Sequence, residues 1–390
     1  MDLSLNTMIG DRLQRIANVL LLNASFLDNP GLLNGKMGIA IFFYNYSRYS
    51  RNKIYEDYAS ELIDEIYEEI NTSTPVNFEN GLTGIGWGIE YLVKNGFVLA
   101  DTDEVLEEID NAIYKHRINS PVLIDTGDDL FGYGFYHIAR IMGHEIDDDQ
   151  LNTLIKKYHL IFLTDECERL LEQKSYTRFN IESLTINSFN SILWFLLEIQ
   201  KLNIFPLKTE KIFRSVPEYI EKEINNPHDI AGRRLLLRLV EKSIESVKDN
   251  TVSALLKSMV DRIKSEKVHK ELPDETDVSD FIKNTWQKLI YGPYKLDGAG
   301  MVFQFEEIFS FIDNENSWNK RLENINGQGL GLTGFAGLAL GLLRAQGTEH
   351  EPDNSELWTL RHLQTSGTPP PALHNCNPDL PKTEKEVLRQ

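Results

Sequence analysis

Asn80-Gly81-Leu82-Thr83-Gly84-Ile85 runs into the apolar stretch Gly86-Trp87-Gly88-Ile89. A matching phrase, Asn34-Gly35-Lys36-Met37-Gly38-Ile39, stands 46 residues earlier and runs into Ala40-Ile41-Phe42-Phe43-Tyr44. Far along the chain, Gly331-Leu332-Thr333-Gly334-Phe335-Ala336-Gly337 repeats the Gly-Leu-Thr-Gly of Gly81 to Gly84 and enters Leu338-Ala339-Leu340-Gly341-Leu342-Leu343. Weaker copies lie between, at Leu130-Phe131-Gly132-Tyr133-Gly134, Ser183 to Ser191, Ile230-Ala231-Gly232 and Asp297-Gly298-Ala299-Gly300. A phrase recurring at roughly fifty-residue intervals is the signature of a repeat architecture, here of about seven units.

Glycine ahead of a helix permits positive φ and lets backbone approach backbone where a larger residue would clash. The runs behind the phrases, such as Ile192-Leu193-Trp194-Phe195-Leu196-Leu197, are apolar throughout, which suits helices buried on most sides. Tyr55 to Ile70 differs, with apolar residues three and four apart and acids elsewhere, and Asp103 to Ile113 and Ile244 to Ile263 share that period. Buried helices thus alternate with one-sided ones, and strand-like alternation with hairpin turns is lacking. A hairpin that cannot cover its own apolar face must stack on its neighbours. The expected fold is all-α: an α/α-toroid of about seven repeated helical hairpins over residues 1–347. Residues 348–390, polar and containing Pro369-Pro370-Pro371, are expected as a peripheral tail.

A formal charge of −19 and a pI near 5.0 repel phosphate backbones and anionic bilayers, so nucleic-acid and membrane partners are not expected. Cys167 and Cys376 are the two cysteines, too few for a disulfide scaffold or a four-cysteine zinc site. Met1-Asp2-Leu3-Ser4-Leu5 has no basic segment followed by an apolar one, and the expected location is cytoplasmic.

The three clear glycine phrases resemble the repeat signature of the lanthionine synthetase C-like proteins, a likeness that spans residues 30 to 345. It implies a helical toroid with a central cavity, where zinc activates a peptide cysteine thiol for addition to a dehydrated serine or threonine. The family's cyclases take their zinc ligands from a Trp-Cys-x-Gly and a Cys-His-Gly phrase, and this chain has neither. Aligned on the repeat glycines, Asn226-Pro227-His228-Asp229 and Lys295-Leu296-Asp297-Gly298 stand in their places, and proline and leucine side chains cannot ligate zinc. The family's acid/base histidine of the fourth unit also lacks a counterpart, since no histidine lies between His159 and His228. The expectation is a member without a zinc site or other cofactor. Its partner would be a peptide substrate or a peptide-modifying enzyme, in an accessory role in maturing a ribosomally made peptide.

Other residues carry weaker signals. Asp128 and Asp129, in Asp125-Thr126-Gly127-Asp128-Asp129, and Asp297 precede unit helices and could face a cavity as acid and base. Helix capping explains them more simply. With His228 they are the catalytic candidates of an alternative function, a metal-independent carbohydrate-active hydrolase or isomerase on a six-hairpin toroid. Asn80, Trp87 and Tyr133 are the binding candidates at the cavity, although aromatics behind repeat glycines also serve as packing. His137, within Phe135-Tyr136-His137-Ile138-Ala139-Arg140, reads as a core or cavity-edge histidine. Cys167 sits among carboxylates and reads as an inert surface or half-buried thiol. His374-Asn375-Cys376 could add soft ligands only if the tail folded back, with His228 or Asp297 completing the set.

Overall fold

A computed structural model describes residues 3–119, 127–142, 151–172, 186–224, 230–265, 278–291, 305–322 and 329–346. Among the described residues every regular element is helical. In chain order they are α1 (Leu3–Asn23), a 3-10 turn (Ala24–Phe26), α2 (Lys36–Ser50), α3 (Lys53–Glu69), α4 (Leu82–Lys94), α5 (Thr102–Val105) and α6 (Glu107–Asn119). Then come α7 (Gly127–Met142), α8 (Leu151–Glu172), α9 (Ile186–Lys201), α10 (Pro206–Phe213), α11 (Val216–Ile224) and α12 (Ile230–Ser246). The last are α13 (Asn250–Ser265), α14 (Val278–Tyr291), α15 (Phe305–Asp313), α16 (Glu315–Leu322) and α17 (Phe335–Ala345). No described helix is long and apolar enough to cross a membrane.

The two helix types expected from the sequence are both present. From Met37 to Tyr44, Leu82 to Glu90, Phe189 to Ile199 and Phe335 to Leu343 every residue is buried. By contrast α3 buries one stripe, Tyr55, Ala59, Leu62, Ile63 and Ile66, and turns its acids outward. Two one-sided segments are broken where the periodicity reads as continuous. Ile244 to Ile263 is the end of α12 and the start of α13, joined at Val247–Asp249, where Asp249 Oδ1 accepts from the Thr251 amide at 2.9 Å and turns the chain into a new helix. Asp103 to Ile113 is likewise split between α5 and α6. The unit expected at Asp297 to Gly300 and the tail 348–390, with His374 and Cys376, lie outside the described residues.

The glycine phrases form loops that cap helices with backbone alone. Lys36 and Met37 amides donate to Asn29 O (2.9 Å) and Pro30 O (3.3 Å), and Leu82 and Thr83 amides to Pro75 O (2.9 Å) and Val76 O (3.4 Å), each seven residues back. The last loop is one residue tighter, with Phe335 and Ala336 donating to Gly329 O (3.1 Å) and Leu330 O (3.0 Å). Gly35, Gly81 and Gly334 precede these helices with φ of −128°, −133° and −130°, so positive φ is not why glycine stands there. Space is the reason: a Cβ on Gly35 would overlap Asn29 O, and one on Gly81 would overlap Pro75 O.

The same helix starts correct the match between copies. Gly334 and Gly337 take the places of Gly81 and Gly84, while Gly331 packs on the Asn34 backbone as Gly31 packs on that of Asn80. Contacts between units then repeat. A Cβ on Gly38 would lie 2.8 Å from Leu332 Cγ, one on Gly84 2.9 Å from Leu32 Cβ, and one on Gly132 2.5 Å from Phe78 Cβ. Hence α2 receives the loop before α17, α4 the loop before α2, and α7 the loop before α4. Packing runs on from α7 to α9 and from α9 to α12, while α14 packs on α17 and α17 on α2.

Candidate functional site

The loop ends are joined by side chains that the repeat itself supplies. Thr333 Oγ1 donates to Asn34 Oδ1 at 2.6 Å, Asn34 Nδ2 donates to Asn80 Oδ1 at 3.1 Å, and Asn29 Nδ2 donates to the same Asn80 oxygen at 2.8 Å. Asn80 is therefore a partly buried link between loops. Asn34 and Asn80 stand four residues before Gly38 and Gly84, and Asp128 stands four before Gly132. Asp128 and Asp129 fall in the first turn of α7, and their side chains lie outside the described residues, as do His228 and Asp297 entirely.

Next to the loop that carries Asn80, an aromatic array draws on α4, α7, α9 and α14. Phe135 lies 4.4 Å from Trp194 and 5.4 Å edge-on from Tyr291, and Trp194 lies 6.1 Å edge-on from Tyr291. Phe78, ahead of α4, is 5.3 Å from Phe135 and 6.0 Å from Trp87, ring centre to ring centre. These separations and tilts are the attractive ones for rings with a negative face and a positive edge. Polar tips are satisfied: Ser191 Oγ and Tyr291 OH are 2.8 Å apart, and Trp194 Nε1 donates to Tyr291 O at 3.2 Å. The five rings are buried, at 5 to 7% exposure against 0% for Phe42, Phe43 and Phe189. Trp87, a binding candidate by sequence, belongs to it. Tyr291 and Trp194 have no signature in the sequence, because a tyrosine ending a helix and a tryptophan in an apolar run carry no signal until two helices meet.

Tyr133, the other aromatic candidate, instead faces α6, its hydroxyl 3.0 Å from Nδ1 of the exposed His116. One turn on, His137 is buried and stacks on His159 of α8 at 4.2 Å with 10° between the rings. The core reading of His137 holds, and His159 is the partner that sequence spacing does not reveal.

Among the described residues a dense charge centre surrounds Arg140, which is 1% exposed. Its Nη1 donates to Glu90 at 2.7 Å and Thr102 at 3.1 Å, and its Nη2 to Asp103 at 2.7 Å and Asp110 at 2.8 Å. Tyr136 OH donates to Asp110 at 2.6 Å, and Lys156 Nζ to Asp103 at 2.6 Å. Burial opposes the guanidinium charge, but the bond to Asp110 and the charges of Asp110 and Glu90 outweigh it and hold the group above its ordinary value. Burial, and then the Asp110 charge, push the Tyr136 phenol far up, so it stays a donor. Glu90, within the buried run of α4, and Arg140, near the end of that of α7, are the signals in the sequence: a charge at a buried helical position has a partner. One turn from Glu90, burial brings the Lys94 amine down to about 7 against the pull of Glu90 and Glu198.

Cys167 is fully buried rather than at the surface, and burial, with Glu166 second, pushes its thiol up. Among the described residues no three His, Cys, Asp or Glu side chains stand together as a group that could hold a metal ion. The positions aligned with the family's zinc ligands, 226–229 and 295–298, lie outside the described residues. No family model, no curated protein and no solved structure matches the chain.

Proposed function

We propose that the chain closes into an α/α-toroid of the lanthionine synthetase C-like type and binds a peptide in a zinc-independent accessory role during maturation of a ribosomally made peptide. Closure is supported by one repeated step. Leu33 N–H donates to Glu79 O at 2.8 Å, and Thr333 N–H donates to Leu33 O at 3.0 Å, so the last loop stands to the first as the first stands to the second. Units related by a constant rotation meet again only if they form a ring.

The observation that carries the binding role is the convergence of Phe135, Ser191 and Trp194 on Tyr291. The rings and the Ser191–Tyr291 hydroxyl pair are buried, so a peptide has to part them, and once parted they offer it flat apolar contact and groups that exchange hydrogen bonds. The net charge of −19 favours a basic segment on approach.

The test is calorimetric titration of the purified chain with a basic precursor peptide encoded beside its gene. Saturable binding that Trp194→Ala weakens at least about tenfold is the expected result, a loss of about 1.4 kcal/mol. Absence of saturable binding would remove the proposal. Elemental analysis of the same preparation, beside Cys376→Ser, is expected to give zinc far below one per chain. Near-stoichiometric zinc lost in the variant would instead restore a cyclase-like site.

A further inference from the structure

Most long buried helices pack against the helix that follows them in the chain. So α2 packs on α3, α4 on α5 and α6, α7 on α8, α9 on α10, α12 on α13 and α14 on α15. No described helix follows α17, and it packs on α1. The apolar stripe of α1, Ile9, Leu13, Ile16, Ala17 and Leu20, is fully buried, so this is a core contact.

The polar contacts of α1 reach in two directions. Toward the late helices, Arg12 Nη2 holds Asp313 Oδ2 at 2.6 Å and its guanidinium lies 5.1 Å over the Phe309 ring, while Arg15 reaches the other Asp313 oxygen at 3.4 Å. Gln346 Nε2, just past α17, donates to Asn6 O at 2.8 Å. Toward the early helices, Gln14 donates to Tyr55 OH at 2.8 Å and accepts from Tyr46 OH at 3.0 Å, and Tyr58 OH donates to Leu21 O at 3.2 Å.

We propose that α1 is a clasp, the outer partner of α17 supplied from more than 300 positions away, and that the fold opens at this seam before it opens between consecutive units. The physical reason is connectivity. Helices joined by a short loop stay at high effective concentration when their contact breaks, whereas α1 and α17 have no such tether. The polar contacts that α1 makes with Asp313 of α15 are partly exposed, Asp313 at 42%, so they add little to the buried apolar stripe that holds the seam. Opening there would uncover the α17 face under α1 while the α17–α2 contact and every sequential hairpin stay intact. The α1–α17 contact is independent of what the fold binds, so this seam and the peptide role stand or fall separately.

Hydrogen exchange of the full chain, read by mass spectrometry, tests the clasp. Asp313→Asn removes the charge that Arg12 and Arg15 share, and Gln346→Ala removes the bond to Asn6. In either variant amides of Leu3–Asn23 and Phe335–Ala345 are expected to exchange faster together, by roughly five-fold, with α7 and α9 unchanged. Acceleration spread evenly over all helices, acceleration of α1 without α17, or no change in both variants would each overturn it.

Discussion

Thr333 donates a 2.6 Å hydrogen bond to Asn34, a residue 299 positions earlier, and Asn34 passes a bond on to Asn80. Three loops of one repeat are thereby linked through short polar side chains. Asn34 is buried, so removing either partner strands a polar group away from water.

Thr333→Val and Asn34→Ala are each expected to lower stability by about 1–3 kcal/mol. The double variant should lose clearly less than the sum, because both remove one bond. Urea unfolding of the four proteins measures the cycle, and strict additivity would show that the bond contributes nothing.

Two glycine-to-alanine changes should act in opposite directions. At Gly84 a Cβ would overlap Phe78 O and sit 2.9 Å from Leu32 Cβ, both fixed in the core, so Gly84→Ala should cost more than about 3 kcal/mol. At Gly10, inside α1, the nearest atom to a Cβ is Tyr49 OH at 3.5 Å, so Gly10→Ala should stabilise by about 0.5–1 kcal/mol through the unfolded chain. Thermal unfolding of the two variants side by side decides.

Arg140→Met leaves Glu90, Asp103 and Asp110 without their shared cation and should cost about 3–5 kcal/mol. Arg140→Lys should rescue little, since one ammonium cannot reproduce bonds in three directions. Denaturant midpoints of the two variants report this, and a near-wild-type lysine variant would argue against the geometry.

Lys94 sets a pH dependence. Unfolded, its amine holds a proton up to about 10.5, whereas burial in the fold brings that down to about 7. Between these values the unfolded chain binds more protons, so stability should rise as pH rises from 7 toward 10.5. Lys94→Met should flatten that rise and be the more stable protein at the lower end. Glu90 keeps Arg140 and Glu198 keeps Lys201, so neither carboxylate is stranded. Urea midpoints at intervals across that window, wild type against variant, make the comparison, and parallel curves would exclude Lys94 as the source.

The one-sided and wholly buried helices were legible from Tyr55 to Ile70 and from Ile39 to Tyr44, because burial period is written in residue type. The loops were legible as glycine phrases but not in their alignment. Gly331 and Gly334 copy Gly81 and Gly84 in letters, yet the last loop is one residue shorter, and only its hydrogen bonds place Gly337 opposite Gly84. Of the binding candidates, Trp87 joins the aromatic array, while Asn80 links loops and Tyr133 turns toward His116.

What the sequence determined by itself is the helical class, the repeated unit and the positions where no side chain beyond hydrogen fits, since these follow from local periodicity and sterics. What only tertiary structure decided is which units are neighbours: Thr333 beside Asn34, Tyr291 beside Phe135 and Trp194, Arg140 among three acids, and α1 against α17. Local chemistry fixes how each helix forms, but the partner of a side chain depends on how helices hundreds of residues apart pack together, and no local pattern encodes that.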